Sequence, residues 1–171
     1  MLGQARVKIH DQKEAQRISV EYADLNAGLE PARIENASVV MMCWTLQFIR
    51  PLNRDRVTRW IYDSLVDGGV LIATEKILTN SWHMNRFFID LYYEFKRRNN
   101  YSAEEIRRKR EALENVLIPY RTGENLELFQ RSGFQMSETF FQWYNFAGYL
   151  CVKGPASNNS RPAAVEKLQR K

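Results

Sequence analysis

Two features of the sequence carry side chains able to do chemistry. Asp24 stands in the polar exit Ala23-Asp24-Leu25-Asn26 that follows the β-rich run Arg17–Tyr22. A carboxylate just past a strand can accept hydrogen bonds from an exocyclic amine, and it can equally cap a turn. The second feature is the basic cluster Lys96, Arg97, Arg98, Arg107, Arg108, Lys109 and Arg110, interleaved with five glutamates between residues 94 and 114. A solvated helical face accounts for most of these charges. The exception would be an arginine whose fork meets a ligand carboxylate.

Other chemistries lack their residues. The glycines (Gly3, Gly28, Gly68, Gly69, Gly123, Gly133, Gly148, Gly154) form no phosphate-cradling loop after a strand, so neither a P-loop nor a dinucleotide fingerprint is predicted. No nucleophile-elbow serine suggests hydrolysis. His10 and His83 lie far apart without a Cys or acidic ligand pair, and no metal site is expected. Cys43 and Cys151 fall in apolar strand-like runs without metal spacing, which predicts buried, reduced thiols.

The elements that would position these groups follow from periodicity. Residues 2–14 read as a helix and Arg17–Tyr22 as a strand. Ala37–Trp44 (ASVVMMCW) is a nearly continuous apolar run too short for a typical helix, and it predicts a strand of a parallel sheet covered on both faces. Pro51 breaks the chain and Asn53 caps a helix carrying Val57, Trp60, Ile61 and Leu65, stopped by Asp67-Gly68-Gly69. Val70–Thr74 (VLIAT) is a second buried strand, which completes a βαβ unit. Residues 80–99 form an aromatic-rich helix, and Ser102-Ala103-Glu104-Glu105 opens another with a capping box. Residues 122–131 give one more helix, and 135–142 and 145–153 an antiparallel strand pair. The fold class is therefore α/β with a helical insertion.

The chain has 171 residues, 44% hydrophobic and 26% charged, which suits one compact domain over 1–153 followed by a disordered tail over 154–171. The formal charge is +5, of which Arg161, Lys167, Arg170 and Lys171 against Glu166 supply +3. The rest is near neutral, which argues against a dedicated nucleic-acid binder. No window approaches a membrane span and the start MLGQARVKIHDQ has no secretory apolar core, so a cytoplasmic protein is expected.

Specific strings then accumulate: IENAS at 34–38, TLQF at 45–48, DGG at 67–69, EK at 75–76, FKR at 95–97, YS at 101–102, KR at 109–110, LENV at 113–116 and FQWYNF at 141–146. In order and spacing the chain resembles the carboxy-S-adenosyl-L-methionine synthase family over residues 1–153. The resemblance implies a Rossmann-like class I methyltransferase fold that lacks its first βα units, and an enzyme that converts S-adenosylmethionine and prephenate to carboxy-S-adenosylmethionine and phenylpyruvate. A partner enzyme then uses that product on the tRNA wobble uridine, so tRNA is met only indirectly.

The same resemblance implies site roles. Asp24 and Leu25 match the pair that holds adenine. Arg110 matches an arginine that reaches from a neighbouring subunit of a homodimer to the carboxylate of the carboxylated cofactor. Cys43 stands where the family has an asparagine at the amino-acid end of the cofactor. No metal is implied. The family's glycine loop, ribose-binding acid and N-terminal tyrosine have no counterpart in this sequence, so weak cofactor binding by the chain alone is expected. The alternative is a non-catalytic dimerisation remnant of the family.

Overall fold

The computed structural model describes residues 2–10, 15–28 and 34–155. The chain divides into two compact units, Met1–Ile34 and Glu35–Lys171. The expected tail over 154–171 lies, beyond Pro155, outside the described residues.

The first unit holds helix α1 (Leu2–His10) and a short 3-10 turn at Ala15–Arg17. The Arg6 guanidinium donates to the Val20 carbonyl at 3.5 Å. The strand expected at Arg17–Tyr22 is absent: residues 18–23 are irregular. An alternating, β-rich run becomes a strand only where another strand pairs with its backbone, and no described strand pairs with this one. Of the helix expected over 2–14, residues 2–10 are helical and 11–14 lie outside the described residues.

The second unit is built on a mixed sheet. Strand β1 (Ala37–Cys43) leads through a 3-10 turn at Leu46–Phe48 into α2 (Pro51–Ser64), and β2 (Leu65–Leu78) returns beside β1. The two strands pair in parallel, with Met41 opposite Ile72 and Cys43 opposite Thr74. After β2 come the inserted helices α3 (Trp82–Arg98) and α4 (Ala103–Leu113), a two-residue strand β3 (Tyr120–Arg121) and α5 (Thr122–Arg131). The hairpin β4 (Met136–Trp143) and β5 (Phe146–Val152) closes the sheet in the order β1-β2-β5-β4, with β5 antiparallel to both neighbours and β3 pairing with β2. The βαβ unit, the helical insertion and the antiparallel ending all match the sequence expectation.

Local sequence sets these boundaries. Pro51 occupies the first turn of α2, where its missing N–H and fixed φ cost nothing. Asn53 therefore sits inside the helix, and Arg50 takes the cap position expected of it. Strand β2 runs from Leu65 rather than Val70 because the Asp67-Gly68-Gly69 stretch bends within the strand. Gly68 has φ +75°, and a Cβ at Gly69 would lie 2.7 Å from the Val66 carbonyl oxygen. At the start of α4 the Ser102 hydroxyl accepts the Glu105 N–H at 3.2 Å while the Glu105 carboxylate accepts the Ser102 N–H at 2.8 Å, the expected capping box.

The core lies between the sheet and helices α2 and α5, where Val57, Leu71, Ala73, Leu128, Phe129, Tyr149 and Cys151 are fully buried. Strand β1 departs from expectation. Met42 is buried, but Val39 and Met41 are 55% and 64% exposed, because β1 ends the described sheet and one of its faces is uncovered. Cys43 shares that exposed alternation, so the expectation of two buried thiols holds for Cys151 alone; both are free. No helix among the described residues is long and apolar enough to cross a membrane.

Candidate functional site

The C-terminal ends of β1 and β2 open into a cavity of about 940 Å3. In open α/β sheets this is the end where ligands bind. Its walls come from the turn after β1 (Trp44, Gln47, Phe48), from Lys76 on β2, from α3 and α4, and from the β4–β5 hairpin. The hairpin and α3 meet through aromatic rings. Tyr92 lies 4.8 Å from Phe146, Phe95 lies 4.9 Å from Trp143, and Trp143 stacks on Phe146 at 5.8 Å, while Trp44 packs edge-on against Phe146 at 5.2 Å.

Cations face these rings. Lys76, Lys96, Lys109 and Arg110 line the cavity with Glu114 as the acidic member of the wall. Their neighbours on the same helices are neutralised locally. Arg86 pairs with Asp90 at 3.3 Å, Arg97 and Arg98 with Glu94 at 2.9 and 3.3 Å, Arg107 with Glu104 and Glu111 at 2.8 Å each, and Arg108 with Glu104 at 3.7 Å. These are the solvated helical pairs expected from the charge pattern. Among the described residues no carboxylate pairs with the four cations of the cavity.

The turn that brings Trp44, Gln47 and Phe48 to the wall is held from below by a buried carboxyl group. Glu75 is 2% exposed. Its Oε1 accepts the N–H of Leu46 at 2.9 Å and of Thr45 at 3.3 Å, and its Oε2 accepts that of Gln47 at 2.9 Å. The Gln47 side chain returns the link by accepting the Lys76 N–H at 2.8 Å. Burial pushes the Glu75 carboxyl up to about 7, against the three N–H donors, which lower it. Arg54 secures the far side. It is buried, donates to the carbonyls of Ile49 at 2.9 Å and Ile118 at 2.5 Å, and lies 4.0 Å over the Tyr120 ring.

Of the residues singled out in the sequence, Arg110 lines the cavity and Cys43 directly precedes the wall residue Trp44. Asp24 and Leu25 belong to the N-terminal unit. There the Asp24 carboxylate accepts the Asn26 N–H at 2.9 Å, and its carbonyl accepts those of Ala27 and Gly28 at 3.1 Å, the arrangement of a turn cap. Sequence reading passed over Glu75, Lys76, Lys96 and Arg54 as individual groups. The available signal was a charged pair, Glu75-Lys76, placed directly after the apolar run VLIAT.

A parallel βαβ core closed by an antiparallel hairpin, with a cavity at the C-terminal strand ends, defines a class I S-adenosylmethionine-dependent methyltransferase fold. Solved structures agree. An O-methyltransferase family protein from Burkholderia thailandensis superposes with a TM-score of 0.64 at 13% identity, covering 91% of this chain and 41% of that one. An O-methyltransferase-like protein from Nostoc punctiforme gives 0.60 at 15% identity, with 89% and 42% covered. Within that fold, the chain is similar to carboxy-S-adenosyl-L-methionine synthases over 153 residues. It is 49% identical to the synthase of Methylococcus capsulatus, covering 90% of this chain and 62% of the relative, and 41% identical to that of Desulfotalea psychrophila, covering 90% and 61%. The chain thus spans about three fifths of the length of these relatives. No protein-family model matches it.

Proposed function

We propose that this chain supplies the carboxylate-handling part of a carboxy-S-adenosyl-L-methionine synthase, which moves a carboxylate from prephenate to the sulfonium methyl carbon of S-adenosylmethionine. That carbon gives up one proton, which leaves with the prephenate ring hydroxyl as water, and the aromatised remainder is released as phenylpyruvate. The observation that carries this reading is Arg110. It is an arginine with no described carboxylate partner on the wall of an aromatic cavity, in a helix where Arg107 and Arg108 are both paired. A guanidinium fork suits a carboxylate that is present on the product and absent from the parent cofactor.

The rest of the reading follows the family. Asp24 and Leu25 hold adenine, Cys43 stands at the amino-acid end of the cofactor, and the product serves tRNA wobble-uridine modification in the cytoplasm through a partner enzyme. Homodimerisation is supported by α3, which carries Trp82, Phe87 and Phe95 at 72%, 54% and 46% exposure and buries none of its residues within this chain. The family's arginine reaches the neighbouring pocket of such a dimer, whereas Arg110 here lines the cavity of its own chain and is assigned to that cavity.

A chimera tests the reading. Residues 1–153 replace the matched segment of the Methylococcus capsulatus synthase, and product is followed by mass spectrometry with S-adenosylmethionine and prephenate supplied. Carboxy-S-adenosylmethionine should form, and should not form when Arg110→Ala is introduced. A folded chimera that makes no product would refute the proposal, as would one indifferent to Arg110.

A further inference from the structure

Arg110 accounts for one of four cavity cations, and the remaining three need a reason. Lys76 reaches in from β2 and Lys96 from the last turn of α3, yet their ammonium groups converge on one ring, at 5.7 Å and 4.7 Å from the Tyr92 centroid. Both are partly buried, and neither has a described carboxylate partner. Burial and a neighbouring cation lower each of them: Lys76 by desolvation and then the Lys96 charge, Lys96 by desolvation and then the Lys109 charge. Two like charges held together against an aromatic wall are unfavourable in the empty cavity, and an anion between them relieves both the repulsion and the lost hydration.

The surroundings define that anion. Tyr92 and Phe146 meet at 4.8 Å beside the lysines, and Trp143 stacks on Phe146, so the space next to the charges is walled by rings. We infer that Lys76 and Lys96 form a carboxylate subsite, separate from Arg110, for a cyclic or aromatic acid whose ring packs on Phe146 and Trp143. This rests on the reading of the cavity as a carboxylate-transfer site and deepens it. Arg110 receives the carboxylate that is transferred, whereas the lysine pair holds a second carboxylate that stays on the donor molecule.

The test is binding of an unreactive probe to this chain by titration calorimetry. The probe is 3-phenylpropionate, with its uncharged amide, 3-phenylpropionamide, as control. A charge-assisted hydrogen bond contributes about 1.5–3 kcal/mol, so Lys76→Met or Lys96→Met should weaken the acid about tenfold or more and leave the amide unchanged. Lys96→Arg keeps the charge and should restore acid binding, which separates loss of the cation from damage to the fold. Equal affinity for the acid in the wild-type and methionine variants would overturn the subsite, and so would acid and amide binding the wild-type chain alike. The probe cannot react, so failure of the functional reading shows in the chimera's turnover and failure of the subsite shows here.

Discussion

Glu75 Oε1 accepts the main-chain N–H of Leu46 at 2.9 Å, so a carboxylate buried near the end of β2 fixes the turn that follows β1. The same carboxylate takes the N–H groups of Thr45 and Gln47, and the turn delivers Trp44 and Phe48 to the cavity wall. The pairing of β1 with β2 ends at Trp44, whose N–H donates to the Thr74 carbonyl at 2.9 Å. The wall beyond it depends on this carboxyl group.

Glu75→Ala should therefore damage both stability and site. The buried N–H donors of Leu46 and Gln47 and the half-buried one of Thr45 would lose their acceptor, and each unpartnered group costs about 1–3 kcal/mol. We expect a loss of at least about 3 kcal/mol in chemical denaturation. A variant as stable as wild type would show that the turn holds itself.

The Glu75 carboxyl also gives a pH signature. Its folded value of about 7 lies above the ordinary 4.5, so between these values the folded state binds more protons than the unfolded one. The contribution of Glu75 to stability is therefore fully present below about pH 4.5, falls as pH rises toward 7 and levels off above it, by on the order of 3 kcal/mol. Denaturation of wild type and Glu75→Gln across this range should show their stability difference shifting against wild type as pH rises. A pH-independent difference would remove Glu75 as the titrating group.

Arg54 offers a contrast with the cavity cations, since its charge is spent on structure. It donates to Ile49 and Ile118 carbonyls on segments 69 residues apart in sequence and covers the Tyr120 ring. Arg54→Met should cost about 2–4 kcal/mol through two unpartnered carbonyls and lost cation–π contact. Arg110→Ala, in an exposed residue without a described partner, should change stability by less than about 0.5 kcal/mol. Thermal melts of the two variants side by side check the distinction.

What the sequence made legible follows from how local each feature is. Helix α4 was readable because Ser102 and Glu105 form its cap within one turn. Parallel pairing of β1 and β2 followed from two apolar runs separated by a helix of the right length. Arg17–Tyr22 looked equally strand-like, but a strand depends on its neighbour and no described strand supplies one. Cys43 was misread as buried for a related reason: an apolar run does not say whether its strand is central or at an edge. The role of Glu75 was invisible because its three partners lie about thirty residues earlier and converge only in the fold. Arg110 stands out through family resemblance, whereas the contrast between paired and unpaired cations arises only in the fold.

The central claim is that Arg110 recognises the carboxylate that distinguishes product from parent cofactor. The most direct measurement compares affinities for carboxy-S-adenosylmethionine and S-adenosylmethionine in the chimera, with and without Arg110→Ala. A charge-assisted, bidentate contact should make the wild-type site prefer the carboxylated cofactor by about 10-fold to 100-fold, and the variant should lose that preference while keeping its affinity for S-adenosylmethionine. The same preference in both proteins, or none in either, would contradict the account.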